Sequence, residues 1–178
     1  MKIIDVEIKK GILGKGETPM PGIQYCGGWR DFPNMGCSVV CVFDLSTRLT
    51  RVFLEEDFEE LRQFVSSGPT GGFNTRGFDL PLLAHHGIRV DESQHFLDPS
   101  AFNWRTHGGW SLDNIMQSTF GLAKSGHGAM APVWWQQGKV GKVIDYCCRD
   151  VWLEGKLIEH LLAGGKVFKE PVSGVRVA

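Results

Sequence analysis

The apolar positions of this chain change period several times, and each change marks an element. Residues 2–8 (KIIDVEI) are rich in isoleucine and valine and predict a strand. Residues 37–45 (CSVVCVFDL) and 50–54 (TRVFL) predict two more, with a hairpin turn at Ser46-Thr47-Arg48. Residues 55–66 (EEDFEELRQFVS) take helical spacing, with acids in the first turn where they suit the helix dipole. Gly68-Pro69 ends that helix. A short strand or turn follows at 70–74, then a helix at 78–86 closed by Gly87, and a last core strand at 94–98. Helical patterns return at 99–105 and 111–120. The glycine-rich stretch 121–138 carries no defined period, and 140–162 reads as a long helix stopped by Gly164-Gly165. Between the first two strands, residues 9–36 are irregular and rich in glycine and proline. Loops of that length are usually functional or mobile, so this one is expected to be a lid, a thumb or disordered. Strands first, then strands mixed with helices, predict an α/β sheet covered by helices.

Composition narrows the class. A length of 178 residues suits one domain over 1–178, and 42% hydrophobic with 22% charged residues suffices for a core without staples. The formal net charge of -1 means that any nucleic acid is held locally or with the help of metal, since a phosphate-neutralising protein would be basic. The five cysteines are odd in number and form no CxxC pair, and Cys147 and Cys148 are chain neighbours, a poor geometry for a disulfide. They read as reduced thiols of a cytoplasmic protein. The opening Met1-Lys2-Ile3-Ile4-Asp5 places a charge too early for a signal-peptide core, and no stretch approaches the ~20 apolar residues of a membrane span. The six histidines fit no zinc pattern, and Gly11-Ile12-Leu13-Gly14-Lys15-Gly16 lacks Walker spacing.

The informative residues are acids set among apolar ones. Asp5 and Glu7 are two apart on the first strand and leave from one face. A solvated edge strand would explain them as well as a site would. In the long helix, Val143, Tyr146, Asp150, Leu153 and Leu157 form one row, so Asp150 faces the protein body beside Tyr146. A buried carboxylate needs a metal, a cation or donors, and an arginine partner would suffice. Asp79 opens a short helix and is equally readable as a cap or dipole partner. Converging acids of this kind suit Mg²⁺ or Mn²⁺ rather than zinc. Trp104, Trp110, Trp134 and Trp135 could stack on bases, although packing is the commoner use. Lys124, Lys139 and Lys142 lie on the approach to Tyr146 and Asp150 and are expected to touch substrate phosphates.

Three motifs in order carry a resemblance. They are Asp5-Val6-Glu7, Asn74-Thr75-Arg76-Gly77-Phe78-Asp79 and Tyr146-Cys147-Cys148-Arg149-Asp150. With them the chain resembles the tyrosine-bearing DEDD 3′→5′ exonucleases, and within these the proofreading domain of family B DNA polymerases, over nearly its whole length. The resemblance implies an RNase H-like fold with a mixed, roughly five-stranded sheet flanked by helices. It implies hydrolysis of terminal phosphodiesters by two divalent metal ions, Mg²⁺ or Mn²⁺. Asp5, Glu7, Asp79 and Asp150 would hold the metals, Tyr146 would orient the attacking water, and Asn74 and Phe78 would line the groove for the terminal nucleotides. The implied partner is the 3′ end of single-stranded nucleic acid, DNA favoured and RNA open, within a replication or repair complex. Ile8 departs from the threonine that often follows the first motif, and the 9–36 insertion is unlike a polymerase. Asp44 imitates the first motif, but Ser46 stands where its glutamate should be. An RNA-trimming nuclease and a non-catalytic nucleic-acid-binding subunit with a residual metal site are the alternatives.

Overall fold

Strand β1 (Lys2–Ile8) runs through the middle of the sheet, and its isoleucines and valine are buried on both faces. In chain order there follow short strands β2 (Gly11–Ile12) and β3 (Tyr25–Cys26) and a single helical turn α1 (Phe32–Met35). Next come strands β4 (Cys37–Asp44) and β5 (Leu49–Phe53), helix α2 (Phe58–Ser66), strand β6 (Thr70–Gly71), helix α3 (Asp79–His85) and strand β7 (His95–Leu97). Helices α4 (Leu112–Phe120), α5 (Ala131–Gln136) and α6 (Val140–Leu162) complete them. This computed structural model describes residues 1–97 and 111–168.

The main sheet has five strands in the order β5-β4-β1-β6-β7. β5, β4 and β1 are antiparallel neighbours, whereas β6 and β7 run parallel to β1. The fold is therefore α/β on a mixed sheet. Alternation along the strands divides the core. Ile4, Val6 and Ile8 join Val40 and Val42 against Leu61 and Val65 of α2 and Leu82 and Leu83 of α3. Ile3 joins Val39, Cys41 and Phe43 against Val143, Cys147, Val151 and Ile158 of α6. Asp5 and Glu7 are in phase with Ile3, so they face α6. The solvated edge-strand explanation of this pair fails, because Glu7 is buried, Asp5 is half-buried and β1 carries a core on each face. Met116, Ile115 and Leu112 of α4 cover the other flank of α6 through Leu153 and Leu157.

The expected elements differ from the observed ones where turns intervene. Helix α2 begins at Phe58, after a tight 3₁₀ turn over Glu55–Asp57 in which the Leu54 amide donates to Asp57 at 3.0 Å. β6 ends at Gly71 because the chain turns away at Gly72, where a Cβ would lie 2.2 Å from Thr75 and 2.8 Å from the Ile4 carbonyl. The 9–36 insertion is ordered: β2 pairs with β3, and Gln136 of α5 clamps its base. That side chain donates to the Lys9 and Gln24 carbonyls at 2.9 and 3.1 Å and accepts from the Gln24 amide at 2.7 Å. α5 lies inside the glycine-rich stretch, six residues opened by Pro132, too short to show a period. All five thiols are free, and Cys41 and Cys148 bring their sulfurs to 3.5 Å. The helix expected at 99–105, with Trp104, His107 and Trp110, lies outside the described residues. No described helix is long and apolar enough to cross a membrane.

Gly155 lets α6 approach β4, since a Cβ there would stand 2.5 and 2.7 Å from two ring carbons of Phe43. Phe43 is itself buried, so it cannot swing away. Gly155→Val is expected to lower stability by ~1–3 kcal/mol through overpacking, despite valine's better helix propensity. Urea unfolding in EDTA measures this, and an unchanged midpoint would show that α6 has room to shift.

Candidate functional site

The site forms where β6 leaves β1. β6 pairs only with Lys2 and Ile3, so the remaining edge of β1 has no strand partner on that side among the described residues. The Val6 amide donates instead to Asp79 Oδ1 at 3.0 Å. Asp79 is the first residue of α3, and its carboxylate accepts from β1. The turn before it is pinned from below by His95, whose ring nitrogens bond the Thr70 and Thr75 hydroxyls at 2.9 and 2.7 Å. Asn74 in that turn has φ 60°, a left-handed conformation that asparagine tolerates better than most residues.

Across the gap, α6 presents Tyr146, Asp150 and Glu154 at successive turns. Together with Asp5, Glu7, Asp79, Asn74 and Phe78 they line one cavity of about 560 Å³, an ordinary size for a ligand cleft. All residues named for the site by their motifs therefore converge. Glu7, Asp79, Asp150 and Glu154 are buried, none exposing more than 8%, while Asp5 is half-buried in the cavity wall. Asp5 Oδ2, Asp150 Oδ1 and Glu154 Oε2 are shielded from solvent with no hydrogen-bond partner among the described residues.

Lys124 is the cation that faces this cluster. Its Nζ lies 2.6 Å from Asp150 Oδ2 and 5.4 Å from the centre of the Tyr146 ring. The arginine partner considered for Asp150 is thus a lysine. Lys139 and Lys142 are exposed and do not line the cavity; Lys139 bonds Gln137 at 2.7 Å, and Lys142 lies over Trp134. Trp134 and Trp135 pack, half-buried, against the α6 core. Two participants escaped the sequence reading, Glu154 and Trp29. Glu154 shares a buried row with Cys147, Val151 and Ile158, the same signal that drew attention to Asp150. Trp29, 68% exposed in the insertion, meets the edge of Phe78 at 5.8 Å and lines the cavity mouth.

Burial and crowding shift these groups in one direction. Burial, then the Asp150 charge, pushes Asp5 up to about 7, and burial with the neighbouring carboxylates holds Glu7 and Glu154 well above the usual range. Burial raises Asp150 as well, against the pull of Lys124. Burial alone would lower Lys124, but Asp150 beside it holds the ammonium firmly charged. Burial raises Tyr146, so its hydroxyl stays a proton donor. Asp5, Glu7 and Cys147 bring ligand atoms within 4.8 Å of one another. Burial raises the Cys147 thiol well above the usual value, and its Sγ donates to the Asp5 carbonyl at 3.5 Å. The chemistry on offer is a dry, oxygen-rich cluster with a neutral phenol at its rim, suited to hard divalent cations.

The fold recurs in a larger enzyme. The chain is similar to the family B DNA polymerase from the hyperthermophilic archaeon Pyrobaculum calidifontis, with a TM-score of 0.57 and 16% identity. The likeness covers 90% of this chain and 24% of the polymerase chain. What is shared is a fold. No family model and no curated protein matches the chain.

A raised carboxylate keeps its proton in the folded state at a pH where the unfolded chain has lost it. The resulting penalty on the folded state is absent below the unfolded value of 3.8 and grows as pH rises to about 7. In EDTA, Asp5→Asn is therefore expected to gain stability over the parent as pH rises from about 4 to 7.5. Denaturant melts across that range measure the gap, and a gap that does not widen would contradict the repulsion.

Proposed function

We propose that the protein is a divalent-metal-dependent 3′→5′ exonuclease with an RNase H-like core. It would hydrolyse the terminal phosphodiester of single-stranded nucleic acid, DNA favoured, and release nucleoside monophosphates. The observation that carries this reading is the convergence of Asp5, Glu7, Asp79, Tyr146 and Asp150, from one strand and two helices, on a single cavity. An antiparallel β5-β4-β1 unit continued by parallel β6 and β7 supports the RNase H-like assignment, as does the likeness to a polymerase.

The residues present fit a pair of Mg²⁺ or Mn²⁺ ions, because buried carboxylate oxygens stand unpartnered and the donors are hard oxygen atoms. Asp5, Glu7 and Asp150 would hold one ion, with Asp5 and Asp79 sharing the second. Such ions supply Lewis acidity, activating a water and stabilising the leaving oxygen of a phosphodiester. The rest falls to the chain. Tyr146, still protonated, donates its Oη–H and so orients the water without taking its proton. The loop 121–130 folds over Tyr146, Gly126 against its ring and Gly128 by its hydroxyl, and keeps bulk water out. Trp29 and Phe78 offer an aromatic wall on which unpaired bases stack, worth ~1–3 kcal/mol per base.

One observation favours a second reading. Lys124 already neutralises part of Asp150, as a nucleic-acid-binding subunit with a residual metal site would use it. A 5′-labelled single strand, as DNA and as RNA, separates the two. With Mn²⁺ or Mg²⁺ the nuclease is expected to give a descending ladder that EDTA stops, and the faster strand names its substrate. Asp150→Asn is expected to remove turnover with the fold retained, and Tyr146→Phe to lower it by roughly 10²-fold. Binding without any ladder would favour the subunit.

A further inference from the structure

Glu154 stands outside the three motifs, and nothing among the described residues repays its burial. It is 3% exposed, among Cys147, Val151 and Ile158 on the buried face of α6, and its Oε2 has no hydrogen-bond partner among the described residues. An apolar residue would pack there at no such cost. The carboxylate reaches toward the end of β6, where a Cβ on Gly72 would lie 3.4 Å from Oε2. It lines the same cavity as Asp5 and Asp79. Lys124 is committed to Asp150. Glu154 thus lines the cavity beside Asp5 and Asp79, with an oxygen that has no cation of its own among the described residues.

We propose that Glu154 is a fifth carboxylate of the centre, holding the divalent cation shared by Asp5 and Asp79 either directly or through one water. This rests on the metal-dependent reading above. Charge balance explains why the chain needs it. Four carboxylates match two divalent ions, but here an ammonium is built into the site. Glu154 cancels Lys124 and restores the capacity for both ions.

Mn²⁺ binding followed by the electron paramagnetic resonance of the free ion, without nucleic acid, tests this. The parent chain is expected to take up two ions. Glu154→Gln is expected to weaken one of them at least about tenfold, with unchanged circular dichroism and no loss of metal-free stability. Glu154→Asp, which withdraws the carboxylate by one methylene, is expected to weaken the same ion. Variants that bind both ions like the parent would overturn the role of Glu154 and leave the exonuclease reading intact, provided Asp5→Asn still abolishes binding. A parent that binds no Mn²⁺ would overturn both. A Gln variant that cannot fold without metal would make Glu154 a structural group and overturn the proposal.

Discussion

Like charges crowded into a small, dry space are the constraint on which this structure turns. Five carboxylates line one cavity, four of them buried, and among the described residues a single ammonium answers them. Two like charges ~4 Å apart repel by roughly 4 kcal/mol at an effective dielectric of about 20. A domain stable by only ~5–15 kcal/mol cannot ignore several such pairs. The chain responds by holding protons where it can, on Asp5, Glu7 and Glu154 above all. The arrangement makes physical sense if the cluster is kept for cations.

The surrounding structure supplies the rigidity that repulsion demands. β1 is the central strand, sandwiched between two cores, so Asp5 and Glu7 cannot splay without breaking the sheet. α6 lies close on β4 because Gly155 removes a side chain at the contact, and α4 braces its other flank. Asp79 is tied to the Val6 amide, and His95 fixes the turn that carries it. The early stop of β6 opens the sheet edge and creates the cleft. Cleft and carboxylates thus have one origin, the divergence of two parallel strands beyond Gly71, and crevices at strand ends are where α/β sheets commonly place their ligands.

Much of this was legible along the chain, for identifiable reasons. β1, β4 and α6 carry long, consistent periods, and residues 140–162 are helical as their spacing predicts. Asp5, Glu7 and Asp150 were conspicuous because acids in apolar rows break a pattern. Asp79 was ambiguous, since the same position serves a helix start, and only the tertiary contact to Val6 decides its use. Glu154 carried the same signal as Asp150 but stood in a row that nothing else singled out. Trp29 belongs to a loop whose placement follows from tertiary clamps such as Gln136 rather than from local pattern. The order within 9–36 was illegible for the same reason.

The account's central claim is that these acids are gathered to hold divalent cations. Crystals grown with Mn²⁺, with diffraction recorded at the manganese absorption edge, test it most directly. The account predicts anomalous density within coordination distance of Asp5, shared on one side with Glu7 and Asp150 and on the other with Asp79, and displacement of Lys124 from Asp150. A cavity without anomalous density, with Lys124 still seated on Asp150 Oδ2, would contradict it.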